Sequence, residues 1–274
     1  MADAHTGLCA TLAPYRAVLA SRVRSQASYR TSFALDLTSS LLVGLTELAE
    51  VAVLFTSVTA IGGFDLGAML LVFGLADLCF SMADMVFGHC DDLPSYIRSG
   101  RLDVFYLRPQ PLLAQLVTSD ISLRRLARAS VGVVALVVGL AVNDLDWGAS
   151  TVALLVVSVV SGVATFSALF VWAAGMQFFL VNGSEMTNAF VYGGRYAATQ
   201  PGTVWGRPLT VVFGFFFPMA FTAYLPATTL LGLEPFADLP TWVGWCAPVA
   251  AAWAWVAALT SWRLGTRHYQ GAGG

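Results

Sequence analysis

Four carboxylates stand in stretches that otherwise carry almost no charge: Glu47 and Glu50 in one apolar segment, Asp77 and Asp84 in the next. Glu47 and Glu50 are spaced i, i+3 and share a helix face, while Asp77 and Asp84 lie two turns apart along one face. Between the segments sits Gly62-Gly63-Phe64-Asp65, a tight turn; Glu50 precedes Gly62 by 12 residues and Asp77 follows Asp65 by 12. On helices both acids lie roughly 18 Å from that turn, at similar depth. A carboxylate in hydrocarbon costs ~2.5–3.5 kcal/mol on insertion scales, so each must face protein, water or a cation. From chain position, no arginine is expected deep enough to pair with them. Two chemistries fit. The acids form a polar path that attracts cationic solutes, or they are structural, protonated or hydrogen-bonded to Ser and Thr of neighbouring helices, including those of a partner subunit. Asp84, with Asp36, lies nearer the end remote from the turn and is open to a third reading, simple solvation.

A second constellation is the polar stretch DDLPSYIRSGRLDVFYLRPQP, Asp91 to Pro111. It is too polar to span a bilayer, and Pro94, Gly100, Pro109 and Pro111 forbid one unbroken helix. Its basic and aromatic residues interleave, which suits a segment lying where membrane meets water; a solvated connector is the plainer alternative.

Composition excludes several activities. Of 274 residues, 57% are hydrophobic and 11% charged, with a mean hydropathy of +0.73. Whole stretches lack charge, which defines an integral membrane protein. All fourteen basic residues are arginine. Without lysine the chain cannot build a phosphate-binding loop of the G-x-x-x-x-G-K-[ST] kind, and Schiff-base chemistry is closed to it. His5, His89 and His268 are too far apart for an H-E-x-x-H zinc site. Cys9, Cys79, Cys90 and Cys246 have no paired spacing and read as free thiols. No nucleophile, base and metal set converges, no cofactor of its own is expected, and no nucleic acid partner is implied. No cleaved signal peptide is expected.

The elements that must position these groups follow from hydropathy. Residues 14–30 place Tyr15, Val18, Leu19 and Val23 on one face and arginines largely elsewhere, a basic amphipathic helix for a headgroup layer or a solvated arm. Spans are expected at 32–61, 66–88, a third that follows the arginine-bearing helical stretch 118–128 and runs through Val142, then 147–181, 208–224 and 241–262. The fourth is long enough to tilt or project. Residues 182–207 read as a polar cytosolic excursion, helical near 185–196. Pro226, Pro235 and Pro240 break the chain into short re-entrant pieces between spans five and six. Every arginine then falls on one side of the membrane, and Asp65, Asp144, Asp146, Glu234 and Asp238 fall in the opposite turns. The positive-inside rule places both termini in the cytosol. The fold class is all-α, with a cytosolic arm over 1–31, a six-span domain over 32–264, cytosolic loops at 89–117 and 182–207, and a tail over 265–274.

The string Ile97-Arg98-Ser99-Gly100-Arg101-Leu102-Asp103, followed by Leu107-Arg108-Pro109, resembles the "I-R-x-G-x-L-D … L-x-R-P" run in the cytosolic loop of one branch of the ABC-2-like permeases of ATP-binding-cassette exporters. Tyr29-Arg30-Thr31-Ser32-Phe33 is similar to that branch's "Y-R-x-x-F" before the first span. Phe217 to Pro226 with Leu230-Leu231-Gly232 is similar to its "P-x-x-F-x-x-x-x-P … L-G". The resemblance implies a permease subunit in the bacterial cytoplasmic membrane that works as a dimer with an identical or related permease. ATP and Mg would be held by separate ATPase subunits. It also implies that Arg98, Gly100, Arg101, Asp103, Arg108 and Pro109 form a coupling element, with arginines pairing to acids of the ATPase. Substrates of such exporters include drug-like, organic-cation and lipid-like compounds. The Glu47/Glu50 pair maps onto no family pattern. Outside the resemblance, a proton-coupled secondary transporter relaying through Glu50 and Asp77, or a non-transporting scaffold, also fits the residues.

Overall fold

The computed structural model describes residues 20–21, 24, 30–180 and 184–270. The amphipathic arm expected over 14–30 lies almost wholly outside the described residues. Five helices are long and apolar enough to cross a membrane, and the described residues contain no strand beyond one isolated bridge, Ile61 to Phe64.

Helix α1 (Arg30–Ser57) buries only Gly44 and Val51. The chain reverses at Gly62 and Gly63, both at positive φ, where Ile61 and Phe64 exchange backbone hydrogen bonds. Asp65 then caps α2 (Leu66–Phe87), its carboxylate accepting from the Ala68 amide at 2.8 Å. Helix α2 is hydrophobic all round, with Leu71, Val72, Leu75 and Ala76 fully buried, as expected of a helix surrounded by others. A 3-10 turn over Gly88–Asp92 leads into α3 (Leu93–Arg98), α4 (Arg101–Tyr106) and α5 (Leu112–Ser119). Helix α6 (Arg125–Val142) runs antiparallel to α2, and α7 (Ala149–Gln177) packs on α2 and on the last helix, α11 (Ala247–His268).

Glycines set the α2–α6 distance. A Cβ at Gly139 would lie 2.6 Å from the Leu71 amide nitrogen and one at Gly132 2.7 Å from that of Leu78. Backbones this close gain dispersion contacts that lipid cannot match. Gly139→Leu is expected to force the pair apart at a cost of about 1–3 kcal/mol. Thermal unfolding in detergent, followed by tryptophan fluorescence, checks this.

Two expectations need correction. The stretch 208–224 is not one unbroken helix. Helix α9 (Arg207–Phe216) ends in a π-helical run, Phe217 is extended, Pro218 follows, and the chain resumes as a short 3-10 turn and α10 (Tyr224–Leu231). Proline removes the amide that would continue the helix. The excursion read at 182–207 is helical near 185–196 as expected, but that helix packs into the bundle. Residues 184–198 form helix α8, with a π-helical centre at Thr187–Tyr192, and bury Thr187, Val191, Arg195 and Ala198. Helix α8 starts beside the end of α7, where Gln177 Nε2 donates to Thr187 Oγ1 at 2.8 Å. The chain after it reaches the 61–64 turn, where Thr203 Oγ1 donates to the Gly62 carbonyl at 2.8 Å. It therefore runs back along α2. The long apolar stretch 147–181 is resolved as the single 29-residue α7 ending at Gln177.

Candidate functional site

Phe80, fully buried on α2, marks the middle of the charged site. Two guanidinium groups sit over its ring, Arg195 of α8 at 5.0 Å and Arg128 of α6 at 5.8 Å. Arg195 Nη2 donates to Asp77 Oδ1 of α2 at 2.6 Å and to Glu47 Oε2 of α1 at 2.5 Å, while its Nη1 donates to Glu47 Oε1 at 3.0 Å. Arg128 Nη2 donates to Glu47 Oε2 at 2.6 Å, and its Nε lies 3.4 Å from Asp77 Oδ1. Two acids and two arginines from four helices thus form one node with no net charge. Planar guanidinium forks suit this, since each can hold two carboxylates at once.

Below it, Arg125 holds both the carboxylate and the carbonyl of Asp84. Asp84 is therefore buried and paired rather than simply solvated. The expectation that no arginine lies deep enough to pair with these acids is overturned. Its physical source was the placement of α8: once 184–198 is a helix along α2, Arg195 is carried to Asp77. Arg125 and Arg128 enter with the first turn of α6 rather than stopping before it. The signal was present in Thr187, Val191, Arg195 and Ala198, a helical stripe. A helix near 185–196 is expected from the sequence, but the polarity of 182–207 assigns it to the cytosol rather than to the bundle. The π-helical run that precedes Arg195 shifts the helix phase there, a device frequent at functional sites.

Glu50 stays outside the node. It is exposed and has no hydrogen-bond or ion-pair partner among the described residues. With Glu47, Val51, Leu54, Met69, Phe73, Arg195, Tyr196, Thr199 and Gln200 it lines a cavity of ≈ 240 Å³. Glu47 and Glu50 therefore share a cavity, while Asp77 and Asp84 are buried in ion pairs.

The second site is the knuckle formed by α3 and α4. Gly100 joins them in the left-handed conformation, φ 68°, which an L side chain would strain. Tyr96, Leu102 and Phe105 are buried beneath it. Gln115 of α5 pins it by donating to the Phe105 and Gln110 carbonyls at 3.1 and 2.8 Å. Arg98, Val104, Leu107, Arg108 and Pro109 face outward, Leu107 with 85% of its surface exposed. Arg101 lies 4.5 Å over the Tyr96 ring and Arg108 5.7 Å from that of Phe105.

Asp103 faces inward, accepting a hydrogen bond from the Tyr269 hydroxyl at 2.8 Å. The Tyr269 ring stacks on Tyr106, centroids 5.7 Å apart and 8° from parallel. Desolvation, then the bond to Asp103, pushes the Tyr269 phenol up to about 12, so it stays a donor at neutral pH. The end of α11 thereby clamps the knuckle. Tyr269→Phe keeps the stack and loses the bond, with an expected cost of about 0.5–1.5 kcal/mol. Faster amide exchange across 101–106, with the rest of the bundle unchanged, is the readout.

A helical bundle with five membrane-length apolar helices and a buried, neutralised ion-pair node is a multi-pass membrane protein. Residues 41–273 match the model of the family described as "ABC-2 family transporter protein", and the chain belongs to that family. It is a membrane permease component of an ATP-binding-cassette transporter, a family that associates with ATP-binding components. No curated protein and no solved structure matches it.

Proposed function

We propose that this chain is the permease subunit of an ATP-driven exporter in a bacterial cytoplasmic membrane. It has no ATPase site of its own and acts through separate ATPase subunits that carry ATP and Mg. It pairs with a second permease, identical or related, to enclose the pathway. Six crossings with cytosolic termini follow if α8 and its continuation to the 61–64 turn make the fifth, in place of the 208–224 segment. The arginines before α1, around the knuckle and in the last turns of α11 support that orientation, while Arg207, four residues after the Thr203 contact with the 61–64 turn, falls at the opposite end.

The observation that carries the reading is the knuckle: a buried apolar face pinned to the bundle by Gln115 and Tyr269, and an outward face of arginines around Leu107. A rigid block of this kind transmits a push from a partner into α2 without deforming. Substrates within the drug-like, organic-cation or lipid-like range fit a pathway beside α1. The proton-coupled alternative is disfavoured because Asp77 is already engaged by Arg195 and Arg128 and is not open as a relay.

The test is gentle purification from the native host with mass spectrometry of what accompanies the chain, followed by reconstitution. A stoichiometric ATPase and ATP-dependent transport support the reading. A chain that purifies alone and moves substrate without ATP overturns it.

A further inference from the structure

Charge balance inside the bundle singles out one residue. Glu47 and Asp77 are offset by Arg128 and Arg195, and Asp84 by Arg125. In the ≈ 240 Å³ cavity, the Glu47 carboxylate and the Arg195 guanidinium are both spent on this pairing, which leaves Glu50 as the one uncommitted charge on its wall. The remaining walls are apolar or aromatic (Val51, Leu54, Met69, Phe73, Tyr196), with Thr199 and Gln200 at one side. We propose that this cavity is a binding site for the head group of a singly charged organic cation, and that Glu50 sets its charge selectivity. The inference rests on the permease reading for its role in transport, but not for binding itself.

Three features favour this ligand over its rivals. An anion would have to draw Arg195 away from two carboxylates, stranding Asp77, which is fully buried. A dication would meet only one uncompensated acid. A compact quaternary or tertiary ammonium matches the chemistry, because it pairs with Glu50 and presents its methyl groups to the half-exposed Tyr196 ring. The volume falls below the ~300–1,000 Å³ of sites that enclose a whole drug-sized ligand. It suits a head group, with the rest of the molecule passing out beside the exposed Leu54.

The experiment uses the full chain in nanodiscs of zwitterionic lipid, with phenyltrimethylammonium as probe and benzenesulfonate as an anion of similar size, both read by equilibrium dialysis. The expected result is saturable binding of the cation only. Glu50→Gln, at an exposed position with no partner to strand, should weaken cation binding about tenfold, the equivalent of ~1.4 kcal/mol. Tyr196→Leu provides a second variant and should weaken the cation severalfold. Equal affinity of wild type and Glu50→Gln for the cation, or preferential binding of benzenesulfonate, overturns the proposal. Binding is read without ATP or ATPase. Absence of a partner ATPase would therefore sink the exporter reading and leave this site standing, while failure of the dialysis result would do the reverse.

Discussion

Arg195→Ala is expected to be the most damaging single change in the protein. It removes the hydrogen-bonding partner of Asp77 Oδ1 and two of the contacts that hold Glu47. Asp77 is fully buried, and Arg128 reaches it only through the 3.4 Å approach of its Nε. Breaking a buried pair from one side costs about 3–5 kcal/mol, because the surviving charge cannot be rehydrated. For a bundle of ordinary stability that is a large share of the total. The variant should aggregate on extraction, or lose its monodisperse profile in size-exclusion chromatography tens of minutes after solubilisation.

The compensating change separates charge stranding from loss of shape. Arg195→Met combined with Asp77→Leu leaves Glu47 with Arg128 and removes the orphaned acid, so much of the lost stability should return. A single alanine variant as stable as the parent would show that the node is not what joins α1, α2, α6 and α8. Recovery in the double variant would show that Asp77 and Arg195 exist there for each other.

The second large effect concerns coupling. Arg98 and Arg101 sit on the outward side of the knuckle, Arg98 exposed with no ion-pair partner among the described residues and Arg101 resting on Tyr96. Replacing both with alanine leaves the buried face of Tyr96, Leu102 and Phe105 intact, and surface substitutions of this kind change stability by about 0.5 kcal/mol or less. Insertion and ATPase binding to the complex should therefore survive in part. Transport per ATP hydrolysed should fall about tenfold, the loss of ~1.4 kcal/mol of coupling between the ATPase and the helices. Reconstituted complexes with a fluorescent cation and a phosphate-release assay report both quantities in one vesicle population. Undiminished transport in the double variant would remove the arginines from the coupling step and leave Leu107 and Val104 as the contact.

Much of this architecture was legible without coordinates. Helices α1, α2, α6, α7 and α11 follow from uninterrupted hydropathy, since each needs only enough apolar length to satisfy its backbone internally. The turn at Gly62-Gly63 with its Asp65 cap, and the Gly100 joint in the knuckle, follow from local backbone chemistry. The i, i+3 spacing of Glu47 and Glu50 put both on one wall, and both line the same cavity.

What misled was a segment whose character is set by its neighbours. Residues 184–198 carry an arginine and two glycines and score as polar, so hydropathy removed them from the bundle. Arg195 enters because Asp77 and Glu47 are waiting for it, and their charges cost little once paired. The stretch 208–224 erred in the other direction: its apolar residues suggested a span, but Phe217-Pro218 breaks the hydrogen-bond ladder. The Tyr269 clamp on Asp103 joins residues 166 positions apart and had no local signal at all.

The sequence by itself therefore determined the class of protein, the helices that span by apolar length, and the residue types able to carry charge inside them. Which charges cancel was decided only by tertiary structure. An ion pair depends on the distance between side chains from different helices, and hydropathy sums along a chain contain no such distance. That pairing engages Glu47, Asp77 and Asp84 with arginines and leaves Glu50, on the cavity wall beside Glu47, without an ion-pair partner among the described residues.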